Sequence, residues 1–586
     1  MLVLCFPHPA GTCDPYQVVG PSCGRLTHAA SIGTCSPLEN FTAPSAILAS
    51  GFYYPIIAGC SKMEEKYILT LDIGTTTIRS YIYNSRAETV GKAVDEVVLH
   101  YPQPGYVEID PEEIWTSIKG VVAKSIKNAS LTPGQVTAMG ISTQRSTFIT
   151  WSRSTGRPFH KFITWKDMRA DGLVRQWNNS YTWKMVRAGA YVLYLLSGSR
   201  RFRAGSVLKF MNTQVSFTAA VLKRNYNYFR IADSKVHMTD VSSASATGFF
   251  DPFTMQWAGW AMTLFGIKES SLPTVVDTAG AHFTHTSPKI WRHPIPILSY
   301  QTASMWGSCC FDAGDVKLTM GTGTFFNINT GGLPHASVSG LYPIVGWRLG
   351  EELVYSAEGA NNDTASIIKW AQNLGLFDNP QDTAELAMSV PDSDGVFFIP
   401  AFSGLGPPYN DGSAASGFVG LRPSSTRAHL VRAVLESLAF RTAQLYQCAR
   451  SETDYEFHSI RLDGGVSSND FVSQLVADLT GLRAERPPLI EQSSRGAALI
   501  VGIWKSKAEL KALRRVATTF HPRPHVKKAY ETTIARWEDA VKRMCGWYNQ
   551  KSSNHSTNAV ADSSTSIPQN SFKVTSTRNG SYSKVK

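Results

Sequence analysis

No stretch of this chain stays apolar over the roughly eighteen residues that a membrane-spanning helix needs, so no segment reads as one. Cysteine is scarce after residue 60, where only Cys309, Cys310, Cys448 and Cys545 occur, as expected for a chain kept in a reducing compartment. The five earlier cysteines (Cys5, Cys13, Cys23, Cys35 and Cys60) lack CxxC spacing, which argues against a zinc site. The first residues have neither a basic start nor a sustained apolar stretch, so they do not read as a signal peptide. GxxxxGK[ST] and HExxH are missing, which removes the Walker-type NTPases and the zincins from the simplest readings.

What is present is an ordinary globular composition, 43% hydrophobic and 17% charged over 586 residues, too long for one core. The net charge of +12 invites a nucleic-acid reading. The basic residues are dispersed, however, and no nucleic-acid module is recognisable, so a basic enzyme surface with an anionic ligand is the better reading. The tail from about residue 552 is rich in Ser, Thr and Asn and is expected to be disordered.

Hydrophobic patterning predicts alternating strands and helices, and hence α/β layers. Residues 67–72 (YILTLD) read as a buried strand, IGTTT as a tight turn, and residues 78–84 as the returning strand. Ile114, Ile118, Val122 and Ile126 recur at four-residue spacing behind Pro111, an amphipathic helix over 111–129. A second strand–turn–strand follows at 315–329, with GTGT in its turn, and the matching layout suggests a distant internal duplication. Residues 427–447 and 495–504 are predicted helices, and 459–462 a short strand ending in Asp463-Gly464-Gly465.

Four motifs have chemical content. Gly74, Thr75, Thr76 and Thr77 follow Asp72 at a strand end. Glycine lets backbone approach a phosphate, turn N–H groups and threonine hydroxyls donate to it, and the carboxylate suits a metal ion, directly or through water. Gly321, Thr322 and Gly323 offer the same physics, although either turn alone is also a common structural turn. Gly464 and Gly465 leave room for a flat ring against backbone, and Asn469 either bonds that ring or caps the next helix. Arg145 offers a planar fork of donors, with Trp165 as an apolar wall. An edge arginine and a core tryptophan are the plainer reading of that pair.

These pieces, in this order, resemble the FGGY carbohydrate kinases over about residues 66–504. The most specific stretch is 416–436 (SGFVGLRPSSTRAHLVRAVLE), which fits the family's C-terminal signature at each constrained position. Residues 402–411 (FSGLGPPYND) and 106–115 (YVEIDPEEIW) look like glycerol kinase segments, while ISTQRSTFITW and KLTMGTGTFFNINTG look closest to a divergent animal branch. The resemblance implies two actin-like, ribonuclease-H-like ATPase domains with an interdomain nucleotide cleft. The expected units are a non-family extension over 1–62, disordered or a misprediction upstream of Met63, then domains over 63–308 and 309–550 and a disordered tail over 551–586. It implies ATP and Mg²⁺, a small polyol partner, no nucleic acid, a cytoplasmic location, and compatibility with a homo-oligomer. The implied reaction is ATP-dependent phosphorylation of glycerol to glycerol 3-phosphate. By position, Gly74, Thr75, Thr76, Thr77, Arg79, Gly321, Thr322 and Gly323 would meet the phosphates of ATP. Gly464, Gly465 and Asn469 would meet its nucleoside. Asp72 would place Mg²⁺, and Arg145, Ser146, Trp165 and Gln301 would meet the polyol.

The pattern breaks in places. The family keeps a catalytic aspartate where ILSYQTASMWG puts Tyr300. A phenol ionises near pH 10 when unperturbed, so it is a poor general base, and a base contributes typically about 100- to 10,000-fold. Ser146 replaces a polyol-binding glutamate, Ala365 a glycine beside adenosine, Lys369 a glutamine, and residues 225–236 carry little of the usual strand and helix. Two alternatives stay open beside the glycerol reading: a nucleotide-binding pseudokinase, and a kinase for another polyol or sugar. The patchiness of the departures favours an imperfect gene model over a genuine pseudokinase.

Overall fold

The computed structural model describes residues 2–6, 65–152, 155–209, 237–280, 297–501, 504 and 506–549. The expectations for most of the 1–62 extension, for 225–236 and for the tail lie outside the described residues. Two mixed sheets organise two lobes. In the N-terminal lobe five strands lie in the order Ile297–Ser299, Val136–Thr143, Tyr67–Ile73, Thr77–Tyr83, Thr89–Glu96. Tyr67–Ile73 pairs antiparallel with Thr77–Tyr83 and parallel with Val136–Thr143. It is buried almost throughout, which is why it reads as a continuous apolar run. A short strand, Leu2–Phe6, runs parallel to Phe148–Ser152 in a smaller sheet beside it.

The helix Pro111–Asn128 covers this sheet. Asp110 accepts from the N–H groups of Glu112 and Glu113, proline opens the first turn, and Lys127 lies in the last. Its buried stripe is Ile114, Ile118, Val121 and Ile126. A Cβ on Gly91 would stand 2.4 Å from the Ser125 carbonyl oxygen, so the absence of a side chain there lets the helix lie directly on its strand.

In the C-terminal lobe seven strands lie in the order Tyr342–Leu349, Glu352–Asn361, Thr324–Gly331, Val316–Met320, Ser459–Asp463, Arg483–Arg486, Thr518–Phe520. Both Gly/Thr turns form antiparallel hairpins, and in each lobe the first hairpin strand pairs parallel with a later strand. The helix Arg427–Glu452 packs along the core with buried Val434, Leu438 and Leu445. It runs five residues past the expected end, because its apolar face continues through Cys448 and Ala449.

The lobes meet where the helix Tyr300–Gly307 crosses the helix Gln492–Leu499. A Cβ on Gly496 would stand 1.5 Å from the Ala303 carbonyl oxygen, one on Gly307 2.0 Å from that of Gln492, and one on Gly140 2.2 Å from that of Ala497. Backbone therefore touches backbone at three points. The sequence pattern put the second helix at 495–504. It begins at Gln492 and ends at Leu499, since a helix of small residues buried on every side has no amphipathic period to mark its ends. Among the described residues no helix is long and apolar enough to cross a membrane.

Gly496→Ala is expected to cost more than about 2 kcal/mol in urea unfolding, because the added methyl overlaps backbone. Gly120→Ala, whose Cβ meets nothing within 4 Å, is expected to be neutral or stabilising by about 0.5 kcal/mol. Equal effects at the two sites would contradict the packing described.

Candidate functional site

A cleft of about 2430 Å³ opens between the lobes. It collects Gly74, Thr75, Thr76, Thr77, Arg79, Arg145, Ser146, Trp165, Gly321, Thr322, Gly323, Gly464, Gly465 and Asn469 on one wall or the other. Residues 244 positions and more apart in the chain, such as Thr77 and Gly321, thus share one space because the two hairpins are placed alike in the two lobes.

The first turn is built tightly. The Gly74 N–H donates to the Thr77 carbonyl at 2.9 Å, and a Cβ on Gly74 would sit 2.9 Å from that same oxygen. Thr75 donates to Gln144 Oε1 at 3.1 Å, Gln144 Nε2 donates to the Gly74 carbonyl at 3.1 Å, and the Trp165 indole N–H donates to Thr75 Oγ1 at 2.8 Å. The turn and the end of the neighbouring strand are thereby locked together.

The second turn closes through the Gly321 N–H on the Gly323 carbonyl at 3.0 Å. The N–H groups of Thr364 and Ala365 donate to the carbonyls of Thr322 and Gly321, so Ala365 opens its helix directly against the turn. The third motif abuts the second. Gly464 has φ +84°, and a Cβ there would stand 2.6 Å from the Met320 carbonyl oxygen. Beside it Gly465 faces open space, with nothing within 4 Å of where a Cβ would lie. Asn469 follows the capping alternative: its Oδ1 accepts from the Val472 N–H at 3.0 Å and its Nδ2 donates to Thr383 Oγ1 at 3.0 Å. These bonds use one N–H and one lone pair of the amide, which keeps a second of each.

Asp72 is fully buried beneath the first turn and does not line the cleft. Ser493 donates to its Oδ2 at 3.0 Å and Arg79 stands 3.5 Å from the same oxygen, while Oδ1 has no hydrogen-bond partner. Arg79 also pairs with Glu491 at 3.2 Å. Burial raises the Asp72 carboxyl, with Arg79 and Ser493 pulling the other way.

The Arg145–Trp165 pair is more than an edge arginine and a core tryptophan. Arg145 Nη2 reaches across the cleft to Glu358, at 2.5 Å and 2.6 Å from its two oxygens. Asn327 Nδ2 donates to Glu358 at 2.8 Å. The Arg145 guanidinium lies 5.5 Å from the Phe325 ring, which meets Trp165 edge-on at 6.1 Å, so the two lobes supply one aromatic wall each. Ser146, at φ +57°, turns its hydroxyl to the Ala246 carbonyl at 2.9 Å.

Tyr300 and Gln301 open the helix that follows Ile297–Ser299, whose Ser299 pairs with Thr143. Their side chains lie outside the described residues. The cleft residues that motif reading missed are Lys166, Phe325, Glu358 and Glu491. Lys166 and Phe325 directly follow residues that were singled out. Glu358, a buried carboxylate inside the strand Glu352–Asn361, had only its oddity in an apolar setting as a signal.

The comparisons with known proteins come out in one direction. Residues 67–299 match the model of the FGGY family of carbohydrate kinases, N-terminal domain, and residues 316–503 that of the C-terminal domain. The chain is similar to glycerol kinase 5 of Danio rerio, 45% identical over 524 residues, covering 84% of this chain and 99% of that one. It is 41% identical to glycerol kinase 5 of Homo sapiens over 511 residues, covering 83% and 96%. Among solved structures, Plasmodium falciparum glycerol kinase with ADP aligns at 26% identity and a TM-score of 0.65, covering 82% of this chain and 98% of that one. A ligand-bound xylulose kinase from Lactobacillus acidophilus, at 21% identity and a TM-score of 0.67, shares the fold over 83% of this chain and 99% of its own.

Glu491 gives the site a pH signature. Burial first, then the charges of Asp72 and Asp463, push its carboxyl up to about 7, against the pull of Arg79. The folded chain thus holds this proton more tightly than the unfolded chain, where the group ionises near 4.5. Its stabilising contribution is full below that pH and is lost as pH rises toward 7. Glu491→Gln should remove a decline on the order of 2 kcal/mol between pH 4.5 and 7.5 in urea unfolding, and an unchanged slope would contradict the assignment.

Proposed function

Because the chain belongs to the FGGY family of carbohydrate kinases, we propose that it transfers the γ-phosphoryl group of ATP to a terminal hydroxyl of glycerol, giving glycerol 3-phosphate. The observation that carries this reading is the opposition of two Gly/Thr turns across one cleft, with the open Gly465 shelf on one side and the Trp165–Phe325 pair on the other. The kinship to glycerol kinases of animals and of Pseudothermotoga lettingae, 35% identical over 504 residues, supports glycerol as the acceptor.

In this reading the nucleoside lies against Gly464, Gly465 and Ala365, and the phosphates lie between Gly74–Thr77 and Gly321–Gly323. Turn N–H groups and threonine hydroxyls hold them where charge develops, which is most of what phosphoryl transfer asks of a protein. Glu358 holds Arg145 in place by one guanidinium nitrogen, leaving its other N–H groups to orient acceptor hydroxyls. Trp165 and Phe325 line the carbon chain, and Ser146 offers a neutral hydroxyl beside it. Closure of the lobes keeps water from the phosphoryl group.

Asp72 fits a hydrated Mg²⁺ brought with the nucleotide, since its buried Oδ1 is unpartnered. No cluster of three or more His, Cys, Asp or Glu exists among the described residues, so the ion's remaining ligands would be phosphates and water. Bound there, the ion would neutralise phosphate charge and align the γ-phosphate for in-line displacement. Among the described residues four cysteines are free, three of them buried, which favours the cytoplasm as the compartment.

Tyr300 stands at the position of the family's aspartate, so positioning and charge neutralisation carry the rate without a carboxylate to accept the proton. ADP release with Mg-ATP and glycerol should therefore be slow, and Tyr300→Asp should raise it by about 100-fold or more. If neither protein turns over while both are stabilised by ATP, the kinase reading fails for this chain and the nucleotide-binding pseudokinase replaces it. Turnover with another polyol or a ketose, but not with glycerol, would move the acceptor.

A further inference from the structure

Lys166 is a cleft cation that the reading above leaves without a task. Three arginines of the cleft face a carboxylate: Arg79 faces Asp72 and Glu491, Arg145 faces Glu358, and Arg486 faces Asp470. On the N-terminal wall Arg175 pairs with Asp171, and Arg201 with Asp251. The Lys166 ammonium has no hydrogen bond or ion pair among the described residues. Its contact is with the Trp165 ring, 5.4 Å from the centroid. The carboxylate it senses, Asp363, is buried and already accepts from the Ser403 N–H at 2.6 Å and from the hydroxyls of Ser366 and Ser403 at 3.1 Å and 3.2 Å. Burial accordingly holds the ammonium below the usual lysine range.

Position gives this cation a meaning. Trp165 spans the two ends of the site, its indole N–H on Thr75 of the first turn and its ring against Phe325 of the acceptor wall. The ammonium over that ring stands where the donor's phosphates give way to the acceptor's carbon chain. A cation that is partly buried without a partner costs free energy in the empty cleft, and a dianion placed against it relieves that cost. Lysine presents a compact charge with three rotatable donors, which suits a phosphoryl group whose oxygens move during transfer.

Resting on the kinase reading, we propose that Lys166 is a ligand for the transferred phosphoryl group and for the phosphomonoester it becomes on the acceptor. The ligand class is a monosubstituted phosphate dianion at the acceptor end, distinct from the nucleotide's own phosphates on the two turns.

The test is calorimetric binding of glycerol 3-phosphate, glycerol and ADP to the wild type, Lys166→Met and Lys166→Arg. Lys166→Met should weaken glycerol 3-phosphate roughly ten- to hundredfold, with glycerol and ADP held within about twofold, and Lys166→Arg should recover part of the loss. Equal weakening of all three ligands would mean a structural role for Lys166 and overturn the proposal. So would undiminished glycerol 3-phosphate binding in Lys166→Met. A wild type that binds ADP but neither glycerol nor glycerol 3-phosphate would overturn the glycerol reading as well, which separates the two failures.

Discussion

Backbone contact between the helices Tyr300–Gly307 and Gln492–Leu499 fixes where the rest of the cleft stands. Only glycine permits it, because a methyl on Gly307 or Gly496 would occupy the space of a carbonyl oxygen. The crossing brings the end that opens with Tyr300 beside the N-terminal sheet, and the start of the second helix against Asp72 through Ser493. Gly140 admits the same helix to the strand that ends in Thr143, next to Gln144 and Arg145. Each lobe thus presents its hairpin turn to one cleft at a spacing set by backbone rather than by adjustable side chains.

On this frame charge decides how the lobes face each other. Arg145 of the N-terminal wall meets Glu358 of the C-terminal wall, and Lys209 donates to the Asn410 carbonyl. Such contacts tighten when water leaves and loosen when it returns, so they suit a cleft that opens and closes. Glu491 lies at the seam, half-neutralised by Arg79 and pressed by two other carboxylates, and it couples the first turn to the second lobe.

Much of this was legible in the sequence, for reasons that differ by element. The strand Tyr67–Ile73 and the helix Pro111–Asn128 announce themselves because burial on both faces, or on one stripe, leaves a distinct period. The turns at Gly74–Thr77 and Gly321–Gly323 were visible through glycines that close approach demands. The helix Gln492–Leu499 was misplaced because an all-buried run of Ser, Gly and Ala carries no period. Asn469 was ambiguous from sequence, since the same side chain serves a cap or a ligand, and its bond to the Val472 N–H shows the cap. Glu358 and Glu491 could not be found by motif, because their partners Arg145 and Arg79 lie hundreds of residues away in the chain.

The central claim is that both hairpin turns and the Gly464–Gly465 shelf engage one nucleotide at once. Amide hydrogen exchange with and without Mg-ADP tests it most directly. The account predicts that residues 74–77, 321–324 and 464–466 gain protection together and at the same nucleotide concentration. Protection confined to the turn of one lobe, with the other unchanged at saturation, would contradict it.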